Sequence, residues 1–158
     1  MSIVVREGKV SDIREVAQLE KECFSSAWTD EMFESFLNSS TGRFIIIEDS
    51  GRICAYICLY IIGGEKDNVC GDCELANIAV SSDYRRRGLA RRLIGEMYES
   101  AEKEYCSEIF LEVRESNAPA ISLYISEGFE IYGRRKKYYN APTEDAILMK
   151  KTIANQVK

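Results

Sequence analysis

NIAVSSDYRRRGLARRLIGEMYESAEKE, residues 77–104, is the stretch from which the fold of this chain is read. Ile78, Ala79 and Val80 look like the end of a buried strand, and Ser81, Ser82 and Asp83 break it. Tyr84, Arg85, Arg86, Arg87 and Gly88 follow. Then Leu89, Leu93, Met97 and Ala101, with Ala90, Ile94 and Tyr98 beside them, recur at the spacing of one broad helical face. A strand therefore runs through a tight turn into the start of a long amphipathic helix.

Such a junction suits an anion. The first turn of a helix presents backbone N–H groups with no acceptor inside the helix, and the aligned peptide dipoles add partial positive charge there. Gly88 and Ala90, with almost no side chain, would let a diphosphate approach the backbone, and three arginines supply fixed cations. Taken alone, Arg85, Arg86 and Arg87 are equally compatible with a solvated turn. A Walker loop would need Lys and then Ser or Thr after its last glycine, where Leu89 and Ala90 stand. A dinucleotide fingerprint needs three glycines, and this turn has one.

Composition bounds the rest. With 158 residues, 46% of them hydrophobic, the chain is long enough for one domain with a real core and short for two. A net charge of −5 and a pI near 5.0 argue against general nucleic-acid affinity, although Arg134, Arg135, Lys136 and Lys137 form a second basic cluster. No run approaches the ~20 apolar residues of a membrane span, and the first residues lack a signal-peptide pattern. A cytoplasmic protein that binds neither nucleic acid nor membrane is expected.

Six cysteines are expected mostly as small buried apolar residues. Cys70 and Cys73 have the gap seen in zinc and redox sites, but their partners would have to be Cys54 and Cys58, and no metal is expected. The chain has no histidine. That removes Ser-His and Cys-His nucleophilic schemes and leaves Glu, Asp, Tyr, Cys, Lys or water as the general base.

In chain order, residues 3–5 read as a strand, and Ser11 starts a helix running to about Cys23. Residues 24–28 form an aromatic-bearing break, and Thr29 caps a second short helix. Residues 43–48, 53–62 and 74–80 read as strands. After the central helix comes a strand at 109–114, then a helix capped by Ser116 or Asn117 and stopped by Gly128. Residues 129–139 and 144–151 make a closing strand pair around Pro142. The sum is a mixed α/β layer fold in one domain, 1–158.

Arg85, Gly88 and Ala90 at their spacing resemble the acetyl-CoA pyrophosphate loop of the GNAT superfamily of N-acetyltransferases. Leu111, Glu112, Val113, Arg114, Asn117, Ala118, Ala120, Leu123, Tyr124, Gly128 and Phe129, followed by Arg135, Tyr138, Tyr139 and residues 144–149, are similar to the second half of RimI-type protein N-terminal acetyltransferases. A weaker likeness at residues 24–33 matches that family's substrate-facing loop. Ala90 stands where the family often has Gly. The resemblance implies a central, mixed, mostly antiparallel seven-stranded sheet flanked by four helices.

Acetyl transfer from a thioester to an amine needs a neutral amine, a stabilised carbonyl oxygen and a protonated departing thiolate. In the strand 109–114, Ile109, Leu111 and Val113 alternate on one face, leaving Phe110, Glu112 and Arg114 on the other. A carboxylate there is costly unless paired or functional, and an ion pair with a basic neighbour is one outcome. The resemblance makes Glu112 the base, acting directly or through water, and Tyr124 the proton donor to the CoA sulfur. Packing on the sheet is the other outcome for Tyr124. Asn117 reads as a helix cap, and the resemblance adds a CoA contact.

The resemblance also places the cofactor on Ile78, Ala79 and Val80, whose backbone N–H groups would meet the oxyanion, and on Arg85, Arg86, Arg87, Gly88, Leu89, Ala90 and Arg91. It implies a slot for the first residues of a peptide at Phe24, Trp28, Asn77, Tyr138 and Tyr139. From the residues themselves, Phe24 and Trp28 fit plain core and cleft wall equally. At pH 7, deprotonating a peptide α-amine costs about 1 kcal/mol and a lysine over about 4, which favours the α-amine for a carboxylate base.

The expected activity is acetyl-CoA-dependent Nα-acetylation of a protein or peptide, ribosomal or ribosome-associated proteins included, by direct attack through a tetrahedral intermediate. The enzyme would act as a monomer or weak homodimer. A lysine or small-amine acceptor is the alternative enzyme reading, and a non-catalytic CoA-binding protein is the alternative from another class.

Overall fold

The computed structural model describes residues 2–153. Its strands are β1 (Ile3–Glu7), β2 (Gly42–Asp49), β3 (Arg52–Ile62), β4 (Gly71–Val80), β5 (Cys106–Arg114), β6 (Glu130–Tyr139) and β7 (Glu144–Thr152). Its α-helices are α1 (Ile13–Cys23), α2 (Asp30–Leu37), α3 (Leu89–Lys103) and α4 (Ala118–Ser126). The strands make one mixed seven-stranded sheet in the order β1-β2-β3-β4-β5-β7-β6. Its β4–β5 pair is parallel. This is the mixed, mostly antiparallel sheet with four helices expected from the resemblance.

The chain groups into two compact units, one holding the chain up to Tyr60 together with Ala76–Ser100, the other Ile61–Leu75 and the chain from Ala101 onward. In the first, β1 pairs antiparallel with β2 from Ile3↔Asp49 to Glu7↔Ile45. Strand β2 pairs antiparallel with β3 from Gly42↔Tyr60 to Asp49↔Arg52. α1 buries Ile13, Val16, Ala17, Leu19 and Glu20, the 3.6-residue stripe that seats a helix on a core. Phe33, Phe36, Phe44 and Tyr56 interlock below it, with Phe33 and Tyr56 edge to face at 5.9 Å and Phe36 and Phe44 likewise at 6.4 Å. Thr29 Oγ1 accepts from the Met32 N–H at 3.2 Å, capping α2 as its sequence suggested.

α1 starts two residues later than expected from Ser11, after one 3₁₀ turn at Val10–Asp12. Asp12 closes that 3₁₀ turn, accepting from the Lys9 N–H at 2.8 Å and from both terminal nitrogens of Arg6 at 2.9 Å.

In the second unit, β4 and β5 pair in parallel from Gly71↔Cys106 to Leu75↔Leu111, and β4 runs on to Val80 and β5 to Arg114. Both strands begin three residues before their expected starts. Cys73 and Cys106 are buried there as apolar residues. A Cβ on Gly71 would fall 2.5 Å from the Gly64 nitrogen and the Ile62 carbonyl, so the close approach at the head of β4 requires glycine. Strand β7 pairs antiparallel with β5 from Glu108↔Thr152 to Arg114↔Ala146, and β6 pairs with the other edge of β7. Asn117 caps α4, its Oδ1 accepting from the Ala120 N–H at 3.3 Å. Gly128, at φ +95°, ends the helix in the left-handed conformation that glycine adopts freely.

Candidate active site

The candidate site residues fall mainly in two groups, one in each unit. The first is the turn between β4 and α3. A 3₁₀ turn at Ser82–Tyr84 leads into Arg85, which folds back so that Nε donates to the Val80 carbonyl at 3.1 Å and Nη2 lies 3.6 Å from Cys23 Sγ. Arg86 and Gly88 have positive φ, +64° and +78°. The Arg92 N–H donates to the Gly88 carbonyl at 3.0 Å, which makes Gly88 the residue that opens α3. The N–H groups of the turn between them are those an α-helix leaves without an intrahelical acceptor.

The turn is braced from behind. Tyr84 donates to Asp49 at 2.8 Å, and its ring carries the guanidinium of Arg87 at 4.9 Å and that of Arg52 at 5.3 Å. Arg85, Arg86, Arg87, Gly88 and Arg91 are exposed, Leu89 is buried as the first core residue of α3, and Ala90 is half-buried. A Cβ on Gly88 would meet nothing within 4 Å, so the positive φ, and not crowding, requires glycine here. A positively charged, glycine-opened helix start of this kind fits a diphosphate.

Ala79 belongs to the buried core cluster, while Ile78 and Val80 are half-buried. The Asn77 amide nitrogen donates to Glu20 Oε1 at 2.8 Å. Phe24 ends α1 with its N–H on the Glu20 carbonyl at 2.9 Å. Trp28 packs at a tilt against Phe33 at 5.1 Å and Phe36 at 5.8 Å. Phe24 and Trp28 are both partly buried against the same core.

The second group is built on β5 and the β6–β7 hairpin. Ile109, Leu111 and Val113 are buried, and Phe110, Glu112 and Arg114 are half-buried on the opposite face, the alternation expected from the sequence. Glu112 Oε2 accepts from Arg135 Nε at 2.7 Å, the ion pair foreseen as one outcome for this carboxylate. Tyr138 packs edge to face on Tyr139 at 5.1 Å, and Arg135 lies over the Tyr138 ring at 5.7 Å. Burial first, and then Glu112, push both phenols up, Tyr139 to about 12. Both therefore stay protonated hydrogen-bond donors at neutral pH.

Arg114 anchors the link between β6 and β7, donating to the Asn140 carbonyl at 2.8 Å and the Pro142 carbonyl at 3.0 Å and stacking on Tyr139 at 4.5 Å. It also pairs with Glu144, whose Oε1 accepts from the Ser116 N–H at 2.8 Å. The residues before α4 are thus tied to the same hairpin.

Tyr124 is 5% exposed, in T-shaped contact with Phe129 at 5.7 Å. Among the described residues its hydroxyl has no hydrogen-bond partner. Burial first raises its pKa well above that of a free phenol, so it holds its proton. A buried donor without an acceptor calls for an explanation, and a bound sulfur or pantetheine atom supplies one. On this ground and on the loop geometry the residues fit acetyl-CoA. Asn117 is a helix cap in the structure.

Two part-buried or buried carboxylates beside these groups escaped the sequence reading. Glu74, on β4, has its pKa raised by burial and then by Glu112. The register Glu74↔Phe110 puts it on the same face as Glu112. Glu20 is buried at 1% exposure; its signal was visible, since Ile13, Val16, Ala17 and Glu20 share one helical stripe. Of the cysteines, Cys54, Cys58, Cys73 and Cys106 are buried, Cys23 is half-buried and Cys70 exposed. No cluster of three potential metal ligands occurs among the described residues, and no helix there is long and apolar enough to cross a membrane.

Comparison with known proteins places the chain in a family. Residues 13–129 match the model of the acetyltransferase (GNAT) family. The chain is 32% identical over 145 residues to the [ribosomal protein bS18]-alanine N-acetyltransferase of Escherichia coli K12, covering 89% of this chain and 91% of that protein. It is 29% identical to the N-alpha-acetyltransferase RimI of Mycobacterium tuberculosis, over 89% of this chain and 87% of that one. The crystal structure of the E. coli ribosomal-protein-S18-alanine N-acetyltransferase superposes with a TM-score of 0.86 at 28% identity, covering 99% of this chain and 97% of that one. The chain therefore belongs to the GNAT family and is an acetyl-CoA-dependent N-acetyltransferase.

Proposed function

We propose that this enzyme transfers the acetyl group to the α-amino end of a protein or peptide, ribosomal or ribosome-associated proteins included. The observation that carries the proposal is the 32% identity, over nine-tenths of both chains, to the E. coli enzyme named for the alanine of ribosomal protein bS18. The site chemistry points the same way. Glu112, oriented by Arg135 at 2.7 Å, is the base that takes the amine proton, directly or through one water. An α-amine asks about 1 kcal/mol of such a base at pH 7 where a lysine asks over about 4.

Acetyl-CoA supplies the activated acyl thioester. In this proposal Arg85, Arg86, Arg87, Gly88, Leu89, Ala90 and Arg91 bind its diphosphate, and Asn117 contacts its pantetheine arm. The backbone N–H groups of Ile78, Ala79 and Val80 face the developing oxyanion, and the buried Tyr124 hydroxyl gives its proton to the departing sulfur. Phe24, Trp28, Asn77, Tyr138 and Tyr139 hold the first residues of the acceptor. The chain works as a single acetyltransferase domain in the cytoplasm, a monomer or weak homodimer, without metal, membrane or nucleic acid. Steady-state rates with a library of peptides with free amino termini, set against lysine peptides with blocked termini, test this. A kcat/KM dominated by the free termini supports it, and one dominated by the lysines overturns it.

A further inference from the structure

We infer that Glu20 is the positioning residue that holds the segment from Phe24 to Trp28, together with Asn77, in the arrangement that receives the acceptor peptide. The inference rests on the acceptor side proposed above. Glu20 closes that segment at both ends. Its backbone carbonyl accepts from the Phe24 N–H at 2.9 Å, and its carboxylate Oε2 accepts from the Trp28 N–H at 2.9 Å. The other oxygen, Oε1, accepts from Asn77 Nδ2 at 2.8 Å and from the Tyr56 hydroxyl. One side chain thus links the α1–α2 segment to β3 and to the end of β4.

Stability alone does not account for a carboxylate here. Glu20 occupies the apolar stripe of α1, 1% exposed among Val16, Ala17 and the aromatic core, and burying a carboxylate is costly even when it is hydrogen-bonded. A leucine at this place would carry no such cost, and replacing buried polar groups by well-packed apolar ones is often neutral or stabilising. What a leucine lacks is an acceptor for three donors from three separate elements. Tyr56, fully buried and with its pKa raised by burial and then by Glu20, remains a donor at any working pH. Trp28, so fixed, keeps its ring against Phe33 and Phe36.

The test uses Glu20→Gln, which keeps the shape but sets an NH₂ group where one carboxylate oxygen accepts. Trp28 is the single tryptophan of the chain, so its fluorescence reports on this segment without any reaction. The expected result is a red-shifted emission more open to acrylamide quenching, with the KM for an N-terminal peptide raised about tenfold or more. The KM for acetyl-CoA and kcat at saturating peptide change far less.

Tyr56→Phe removes one donor from the same carboxylate, gives a smaller change in the same direction, and serves if Glu20→Gln does not fold. Unchanged emission with unchanged peptide KM, or a loss confined to the melting temperature, overturns the inference. If the unaltered protein acetylates no free amino terminus, it is the acceptor assignment that fails, and the fluorescence comparison alone then decides whether Glu20 holds the segment.

Discussion

Arg135 Nε donates to Glu112 Oε2 at 2.7 Å, reaching from β6 past the intervening strand β7 to β5. The guanidinium occupies one carboxylate oxygen, which suits the proposed role of Glu112 as the base that meets the amine. Glu112→Gln removes the proposed proton acceptor and keeps the shape. The expected outcome is a kcat lowered about 100-fold or more, with acetyl-CoA affinity by calorimetry nearly unchanged. A variant as fast as the parent would assign Glu112 to a structural ion pair alone.

Tyr124 offers a buried hydroxyl that bonds to no described residue. Removing it costs the folded state nothing, because no hydrogen bond is broken. Tyr124→Phe should therefore melt at the parental temperature or slightly above it while turning over about 10- to 100-fold more slowly. Thermal melts and single-turnover rates measured together check this. A lower melting temperature with an unaltered rate would make the tyrosine a packing residue.

Gly88 opens α3 at φ +78° with open space around its missing side chain. Gly88→Ala meets no clash but must hold a left-handed conformation, which costs roughly 1–2 kcal/mol. The turn relieves that strain by shifting the N–H groups proposed to bind the diphosphate. A weakening of CoA binding by about tenfold in calorimetry, with little change in the Tyr124 environment, is expected. Equal affinities would move the diphosphate away from this turn.

Asp12 gives the pH dependence of folding a definite sign. Hydrogen bonds from Arg6 above all, with the Lys9 N–H, hold its carboxyl below the usual aspartate value against the opposing effect of burial. A group depressed in the folded state adds stability that is present above its unfolded value of about 3.9 and is lost as pH falls through the folded value. Asp12→Asn should cost about 2 kcal/mol at pH 7 and flatten the decline in stability below about pH 4. Urea titrations of both proteins at neutral and acid pH measure it.

The strand-turn-helix at residues 77–104 was legible because three signals coincide there: an apolar run, a glycine that opens the helix, and a 3.6-residue stripe whose Leu89, Leu93, Ile94, Met97 and Ala101 are all buried. The alternation in β5 placed Glu112 correctly for the same reason, since a strand exposes every second residue. The strand order was not legible. Nothing local in residues 130–152 says that β7 lies between β5 and β6, because that order is decided by pairing across long sequence separations.

The buried polar contacts were hidden for a related reason. Glu20 stands on an apolar stripe, yet its donors, Tyr56 and Asn77, lie 36 and 57 residues away, and only the folded chain brings them together. Glu112 showed its cost in the sequence but not its partner, which could have been any of the four basic residues 134–137.

A single peptide that carries a free amino terminus and one internal lysine tests the central claim most directly, incubated with acetyl-CoA and the enzyme and then sequenced by fragmentation mass spectrometry. One acetyl group on the α-nitrogen, absent when that nitrogen is blocked beforehand, is the predicted result. Acetyl on the lysine alone, undiminished by blocking the terminus, would contradict the account.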